Sequence, residues 1–259
     1  DFGTALRTSR PVIQDIAAVF PATLELATMS LVIGAGIGVP LGLYAAAYQG
    51  GILDNVARFV GLIGYSVPNF WLALMGLLVF YGFLGWVGGS GRISIFYEGM
   101  VPRRTGLLLV DSVLANDWDA ARSALRHIIL PASVLGYSSM AFITRMTRSF
   151  TLAQMNQEYV IAARVKGLSE HAVLWRCVFP NIRVQLLTIL ALVYGGAVEG
   201  SVVVETVFGW PGFGQYLTNA LLMADMNAAV TCVLIIGVVF VTLNFISDIL
   251  YRVLDPRTR

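Results

Sequence analysis

Charge is scarce in this chain: of 259 residues only 12% are Asp, Glu, Lys or Arg, about half the roughly 25% usual for soluble globular domains. With 57% hydrophobic residues and so few charges, and a mean hydropathy of +0.76, the chain cannot dress a soluble core in a polar surface. It reads as an all-α polytopic membrane protein. The net charge of +2 is too small to point to nucleic acid. The two cysteines, Cys177 and Cys232, lie in different kinds of segment and frame neither a disulfide scaffold nor a metal site. They read as small buried apolar side chains.

The signatures of common enzyme chemistry are missing too. No Gly-x4-Gly-Lys-Ser/Thr phosphate loop occurs, and Lys166, the only lysine, precedes its glycine, Gly167. ATP binding of that kind is not expected in this chain. There is no His-Glu-x-x-His, and the two histidines, His127 and His171, stand far apart at the borders of apolar runs. No metal site is expected. No Gly-x-Ser-x-Gly elbow occurs. Ser66, Ser138 and Ser139 lie in or near apolar runs, where small hydroxyls mostly bond backbone carbonyls. An intramembrane hydrolase therefore lacks a credible Ser/His pair.

What is present is length of apolar run. A bilayer core of about 30 Å needs about 20 apolar residues in helix, and backbone groups in lipid must bond within the segment. Five runs meet this, roughly 21–48, 56–84, 125–148, 181–205 and 227–252. Pro21 is expected at the start of the first helix, and Pro68 falls inside the second run. These bounds divide the chain into an outer segment 1–20, a transmembrane domain 21–252 and a tail 253–259. Within the domain lie an outer loop 85–124, a polar island 149–180 and an outer, re-entrant-like segment 206–226. The first residue is Asp1, not Met, and residues upstream of it are expected.

Five spans put the termini on opposite sides. Arg58, Arg145, Arg148, Arg164, Lys166, Arg176, Arg183, Arg252, Arg257 and Arg259 share one side, which is ten basic residues. Arg7, Arg10, Arg92, Arg103, Arg104, Arg122 and Arg126 share the other, which is seven, diluted by Glu98, Asp111, Asp117 and Asp119. Positive charge favours the cytoplasm, so the island and the C-terminus are expected there.

Gly34, Gly38 and Gly42 recur at four-residue spacing in the first run, as do Gly196 and Gly200 in the fourth. Small residues at this spacing let helices approach closely in lipid, either within the chain or against a second membrane subunit. Ionisable residues in spans are candidates for function. Glu25 reads as structural, in the first turn of its helix where the dipole favours an anion. Asp248 and Arg252 form a local i,i+4 pair. Glu199, with Ser66 and Pro68, is the candidate for lining a translocation path. Phe208, Trp210, Pro211 and Gly212 are candidates for an outer gate or a contact with an outer partner, since Phe208, Trp210 and Phe213 suit a membrane interface.

The most informative stretch is Glu158-Tyr-Val-Ile-Ala-Ala-Arg-Val-Lys-Gly-Leu-Ser169, inside the polar island. A short amphipathic helix offered on one membrane face suits a soluble partner, and Gly167 suits a left-handed helix end.

This island resembles the "EAA" loop of ATP-binding-cassette importer permeases. Glu158-Tyr159, Ala163-Arg164 and Lys166-Gly167-Leu168 resemble the peptide-type version of that loop, and Pro180 stands where its proline stands. The nominal Glu-Ala-Ala positions are Ile161, Ala162 and Ala163, without the Glu. Other stretches are similar to the first-subunit dipeptide and oligopeptide permeases: Pro21-Ala-Thr-Leu-Glu-Leu26, Tyr65-Ser-Val-Pro68, Arg145-Met-Thr-Arg-Ser149, Val204-Glu-Thr-Val-Phe-Gly-Trp-Pro-Gly-Phe-Gly214 and Asp255-Pro-Arg257. Cys177, Pro180-Asn181 and Asp225-Met226-Asn227 depart from the family pattern.

The resemblance implies a type I importer permease fold with one more span before Asp1, in a bacterial inner membrane. It implies a second homologous permease, two ATPase subunits that carry ATP and Mg, and an extracytoplasmic solute-binding protein as partners, besides membrane lipid. It implies ATPase coupling through Glu158, Tyr159, Ala162, Ala163, Arg164, Lys166, Gly167 and Leu168. Short peptides are the implied cargo, with nickel complexes, glutathione or sugars as alternatives within the class. A stand-alone channel or secondary carrier is the competing reading, and it would show paired mid-membrane charges or broken repeats.

Overall fold

The structure, a computed structural model, describes residues 2–254, without the side chains of Tyr65, Ser247, Asp248, Leu250, Tyr251, Val253 and Leu254. The expected Asp248–Arg252 pair and the closing Asp255-Pro-Arg257 fall outside what is described.

The described residues are helical apart from loops and an isolated antiparallel bridge between Thr4 and Pro11. In order they form α1 (Val12–Ala47), α2 (Ile52–Ser66), α3 (Asn69–Gly76) running on as a π-helical turn (Leu77–Phe83), a 3₁₀ turn (Ile95–Tyr97) and α4 (Leu108–Leu114). Then come α5 (Trp118–Met155), α6 (Glu158–Val165), α7 (Glu170–Ala172) with a second π-helical stretch (Val173–Val178), α8 (Phe179–Phe208), α9 (Phe213–Leu222) and α10 (Met226–Leu254). Four helices are long and apolar enough to cross a membrane, Val12–Ala47, Trp118–Met155, Glu170–Phe208 and Met226–Ile246. The broken pair Ile52–Gly64 and Asn69–Phe83 makes a fifth if its pieces count as one span. The five apolar runs are therefore five helical segments.

Their ends differ from the sequence expectation in ways that have local causes. The first helix starts at Val12, so Pro21 lies inside it. Its extra turns carry Asp15, whose carboxylate accepts the Thr8 hydroxyl at 2.5 Å and the Tyr216 hydroxyl at 3.4 Å. These partners make the charge tolerable in an otherwise apolar turn. Glu25 consequently sits mid-helix, not in a first turn, and the dipole argument for it fails. The second run breaks at Val67 and Pro68, both extended, because proline disfavours helical backbone in the residue before it. The third span starts at Trp118, inside the expected outer loop, and runs to Met155, inside the expected polar island. Asp117 caps it by accepting the Ala120 N–H at 2.9 Å. Asn116 precedes it at φ +56, a left-handed conformation that asparagine tolerates. Asp225 caps α10 through the Ala228 N–H at 3.1 Å and also accepts the Leu6 N–H at 2.6 Å.

The chain divides into two compact units. The first comprises Asp1–Ser30, Pro68–Gly136 and Gly195–Val241. One of its apolar cores joins Val12 and Ile16 of α1 to Phe213, Tyr216 and Ala220 of α9 and to Ala228, Ala229 and Cys232 of α10. Cys232 is fully buried there.

The second unit comprises Leu31–Val67, Tyr137–Tyr194 and Thr242–Arg259. Its core gathers Leu43, Met155, Val160, Ala163, Val173, Leu174, Val178, Ile182 and Leu186. Here α1 and α5 pack with little space between them. A Cβ on Gly38 would sit 3.0 Å from the Met140 carbonyl oxygen, and one on Gly42 would sit 2.6 Å from Thr147 Cβ. Gly36 and Gly196, by contrast, have open space at the Cβ position. The four-residue glycine spacing thus marks an intrachain contact at Gly38 and Gly42.

Candidate functional site

The polar island folds into two short helices around a left-handed glycine. Gln157 is extended and begins α6, which runs Glu158–Val165. Gly167 follows at φ +83 with nothing within 4 Å of a Cβ position. The conformation, not crowding, favours glycine there. The Leu168 N–H returns to the Ala163 carbonyl at 3.2 Å and the Gly167 N–H to Arg164 at 2.9 Å, which occupies carbonyls a helix end leaves open. Ser169 then caps α7 through the Ala172 N–H at 3.3 Å.

One face of α6 is anchored. Val160 and Ala163 are buried in the core of the second unit, with Leu168 packed partly against it. Arg164 turns to Glu170, Nε to Oε1 at 2.8 Å and Nη2 to Oε2 at 3.2 Å. Of the expected coupling residues Ala163 is buried in this core, while Arg164 and Leu168 stay partly exposed. Gly167 reverses the chain and brings Glu170 within reach of Arg164, and this pair with Ala163 and Leu168 braces the helix.

The outward face holds Glu158, Tyr159, Ile161, Ala162, Val165 and Lys166. Tyr159 donates its hydroxyl to Gln154 Oε1 at 2.8 Å. Ile161 and Val165, 52% and 82% exposed, were not among the expected site residues. Their signal is visible in hindsight as apolar residues four apart in a polar stretch, a helical stripe pointing away from the core residues.

Behind α6, the Tyr44 hydroxyl meets His171 Nδ1 at 2.6 Å and accepts the Trp175 Nε1–H at 3.3 Å. His171 stacks on Tyr44, with ring centroids 6.3 Å apart. This ties α7 to α1. Among the described residues no group of three or more His, Cys, Asp or Glu could hold a metal ion.

In the first unit the aromatic turn after α8 is a buried plug. Phe208 and Trp210 are each 1% exposed. Trp210 donates its indole N–H to the Ala22 carbonyl at 3.0 Å, and Arg92 lies over its ring at 5.6 Å. Arg92 is held in turn by Glu25 at 2.5 Å, and Glu25 also accepts the Leu109 N–H at 2.7 Å. A Cβ on Gly212 would meet the Glu205 carboxylate at 2.5 Å. Phe208, Trp210 and Gly212 are therefore not a contact surface of this chain. Satisfied polar tips let the aromatics bury instead of lying at an interface. Of the four outer candidates only Pro211 is exposed.

The path candidates are all exposed in the chain. Glu199 projects from α8 in the first unit. Ser66 ends α2 and donates to the Leu62 carbonyl at 2.8 Å, and Pro68 begins the segment after the break. Ser66 bonds backbone and is no nucleophile.

Long apolar helices, a break at Pro68 and a short anchored helix with an exposed face describe a multi-pass membrane protein. Residues 38–259 match the family of binding-protein-dependent transport system inner membrane components, and the chain belongs to that family. It is a multi-pass membrane transport component, not a catalytic subunit. The chain is 36% identical over 259 residues to the di/tripeptide transport system permease protein DppB of Pseudomonas aeruginosa, covering all of this chain and 76% of that one. It is 35% identical over 257 residues to the probable D,D-dipeptide transport system permease protein DdpB of Escherichia coli, covering 99% of this chain and 75% of that one. A chain of the MetNI methionine ABC transporter, in inward-facing conformations, superposes with a TM-score of 0.69 at 17% identity, covering 96% of this chain and 100% of that one. That likeness establishes the fold, an ABC importer permease fold.

Proposed function

We propose that this chain forms half of the membrane path for short peptides in an ATP-driven importer of a bacterial inner membrane. The single observation that carries the reading is its likeness along the whole chain to permeases named for di- and tripeptide transport. Its partners are a second homologous permease, two ATPase subunits and an extracytoplasmic binding protein that delivers the cargo. ATP and Mg act on the ATPases, and this chain carries neither.

In this reading α6 is the mechanical link. Its core-facing side is fixed by Val160 and Ala163, and the Arg164–Glu170 pair braces its end. A push on the outward face would then pass into α5 and α8 rather than be absorbed by a loose loop. Ile161 and Val165 fill an apolar groove on the ATPase, and Glu158 and Lys166 fix its register. Each state of the path is stabilised only by contacts that differ between states.

The test is purification of the tagged full-length protein from its own membranes in mild detergent, with the co-purifying chains identified by mass spectrometry. Recovery of a second permease and ATPase subunits is expected. Recovery of this chain alone, intact and folded, would overturn the reading. A cysteine at exposed Pro211 should react with an impermeant thiol label from the outside; labelling only from the cytoplasmic side would reverse the orientation.

A further inference from the structure

In the first unit the acids that are buried, Asp15, Glu25, Asp111, Glu205 and Asp225, each accept at least two hydrogen bonds from their own chain. Glu199 of the same unit breaks the pattern. It is exposed on α8, and among the described residues no hydrogen bond or ion pair reaches it. The fold supplies partners to each carboxylate it encloses and none to this one.

Its position excludes a solvated loop as the explanation. Glu199 lies inside α8, about 13 Å of helix from the end at Phe208, in a segment long and apolar enough to cross a membrane. A carboxylate at that depth is costly against lipid and belongs in a water-filled cavity or beside a polar partner. The face it shares is not a lipid face either. Gly196, Glu199, Val203 and Thr206 are all exposed and recur at spacings of three and four, on one side of the helix. A Cβ on Gly196 would meet nothing within 4 Å, which leaves open space one turn from the carboxylate. By contrast α10, in the same unit, exposes Val230, Val233, Leu234, Phe240 and Val241, all apolar. The exposed side of α10 suits hydrocarbon, and the exposed side of α8 suits water.

We propose that Glu199 is a specificity-determining residue of the path: its carboxylate faces the water of the path and favours cargo with net positive charge. This rests on the reading of the chain as half of a path for short peptides. A peptide with a lysine or arginine brings a cation that an unpartnered carboxylate attracts, and a peptide with an additional carboxylate is repelled. The interaction acts through water, so it tilts selection without holding cargo tightly.

The experiment uses the full-length protein in its complete importer, reconstituted in proteoliposomes with the binding protein. In a background where Cys177 and Cys232 are replaced by alanine, Glu199→Cys should react with a hydrophilic, membrane-impermeant thiol reagent at rest or during ATP turnover, read by the mass of this chain. Val233→Cys, on the apolar face of α10, should not react. No reaction at 199 in either state would overturn the proposal, since a lipid or a sealed protein contact would then cover the residue. Uptake of alanyl-lysine and alanyl-glutamate is compared next, with one binding protein throughout, so that a change in their ratio belongs to the permease. Glu199→Gln should lower the ratio of lysine to glutamate peptide about fivefold, and Glu199→Asp should retain it. Glu98→Gln, an exposed acid of the outer loop, should leave it unchanged; a drop equal to that of Glu199→Gln would mean diffuse charge and overturn the proposal. Uptake of both dipeptides with an unchanged ratio in Glu199→Gln would sink the role of Glu199 alone. Uptake of neither by wild type would overturn the peptide reading, and the charge preference with it.

Discussion

The hydroxyl of Thr23 donates to Glu205 at 2.6 Å, across 182 residues of chain. The same hydroxyl oxygen accepts the Phe213 N–H at 2.8 Å. Glu205 is fully buried and accepts Ser201 at 2.9 Å and the Gln215 N–H at 3.0 Å besides. One carboxylate therefore joins α1, α8 and the first turn of α9. Gly212 and Gly214 allow the approach, since a Cβ on either would meet it at 2.5 or 3.0 Å. Glu205→Ala removes three acceptor contacts at once and leaves buried donors unpaired, a loss of about 3 kcal/mol. Glu205→Gln should fall in between: its oxygen can serve Thr23 and Ser201, while its NH₂ faces the Gln215 N–H. Thermal unfolding in detergent should rank wild type above Gln above Ala. Equal midpoints for wild type and Ala would show that the carboxylate does not organise α9.

The glycines of α1 provide a contrast within one helix. A Cβ at Gly42 would lie 2.7 Å from the Thr144 carbonyl oxygen, a backbone atom that cannot step aside. A Cβ at Gly36 meets nothing. Gly42→Ala should lower stability by about 1–3 kcal/mol through overpacking. Gly36→Ala should be neutral or slightly stabilising, since alanine restricts the unfolded chain. Both are read by thermal unfolding of the purified variants. Matching losses at the two positions would mean that helix propensity, not the contact with α5, sets the glycine requirement.

The spans were legible because lipid permits so few backbone solutions: an apolar run of sufficient length is a helix whatever its neighbours. Their ends were not, because ends depend on partners distant in sequence. Val12–Phe20 lies before the expected helix start at Pro21, and nothing local shows that Tyr216 and Thr8 stand around Asp15. Phe208 and Trp210 read as interface aromatics because nothing local shows that Ala22 and Arg92 receive the indole. In the segment 158–169 the turn itself was legible, since glycine after a short amphipathic run has few other uses. Which face it turns inward was not. Arg164 looks like a free cation in sequence, and only the reversal at Gly167 brings Glu170 back to it.

Asp111 should make the loop before α4 pH-sensitive. Burial would raise its carboxyl, but hydrogen bonds from the Thr105 N–H and hydroxyl, the Gly106 N–H and the Arg104 N–H outweigh burial and hold it below its ordinary 3.8. A carboxyl lowered by folding stabilises the folded loop above the unfolded value, and that contribution fades as pH falls through the folded one. The loop should therefore be fully stable at neutral pH and loosen below about pH 4. Hydrogen exchange of the amides of Thr105 and Gly106 should accelerate over that range. In Asp111→Asn exchange should be fast already at neutral pH and lose most of its pH dependence beyond the intrinsic rate. A flat wild-type response would mean that these bonds survive protonation.

At Gly167 a structural demand can be separated from the proposed coupling role. Its φ of +83 is unfavourable for residues with a Cβ, and its surroundings are open. Substitution therefore costs about 1–2 kcal/mol of local strain without a clash. Asparagine tolerates this conformation and valine does not. Gly167→Val should insert and accumulate normally, because the strain is confined to the turn after α6. It should however rotate Arg164 away from Glu170 and lower transport-coupled ATP hydrolysis by the assembled importer about tenfold, which corresponds to roughly 1.4 kcal/mol. Gly167→Asn should retain most of it. If valine and asparagine behave alike and both couple normally, the left-handed turn is not part of the link between ATPase and path. If both assemble poorly, the turn serves docking itself, and the outward residues Ile161 and Val165 become the positions to vary next.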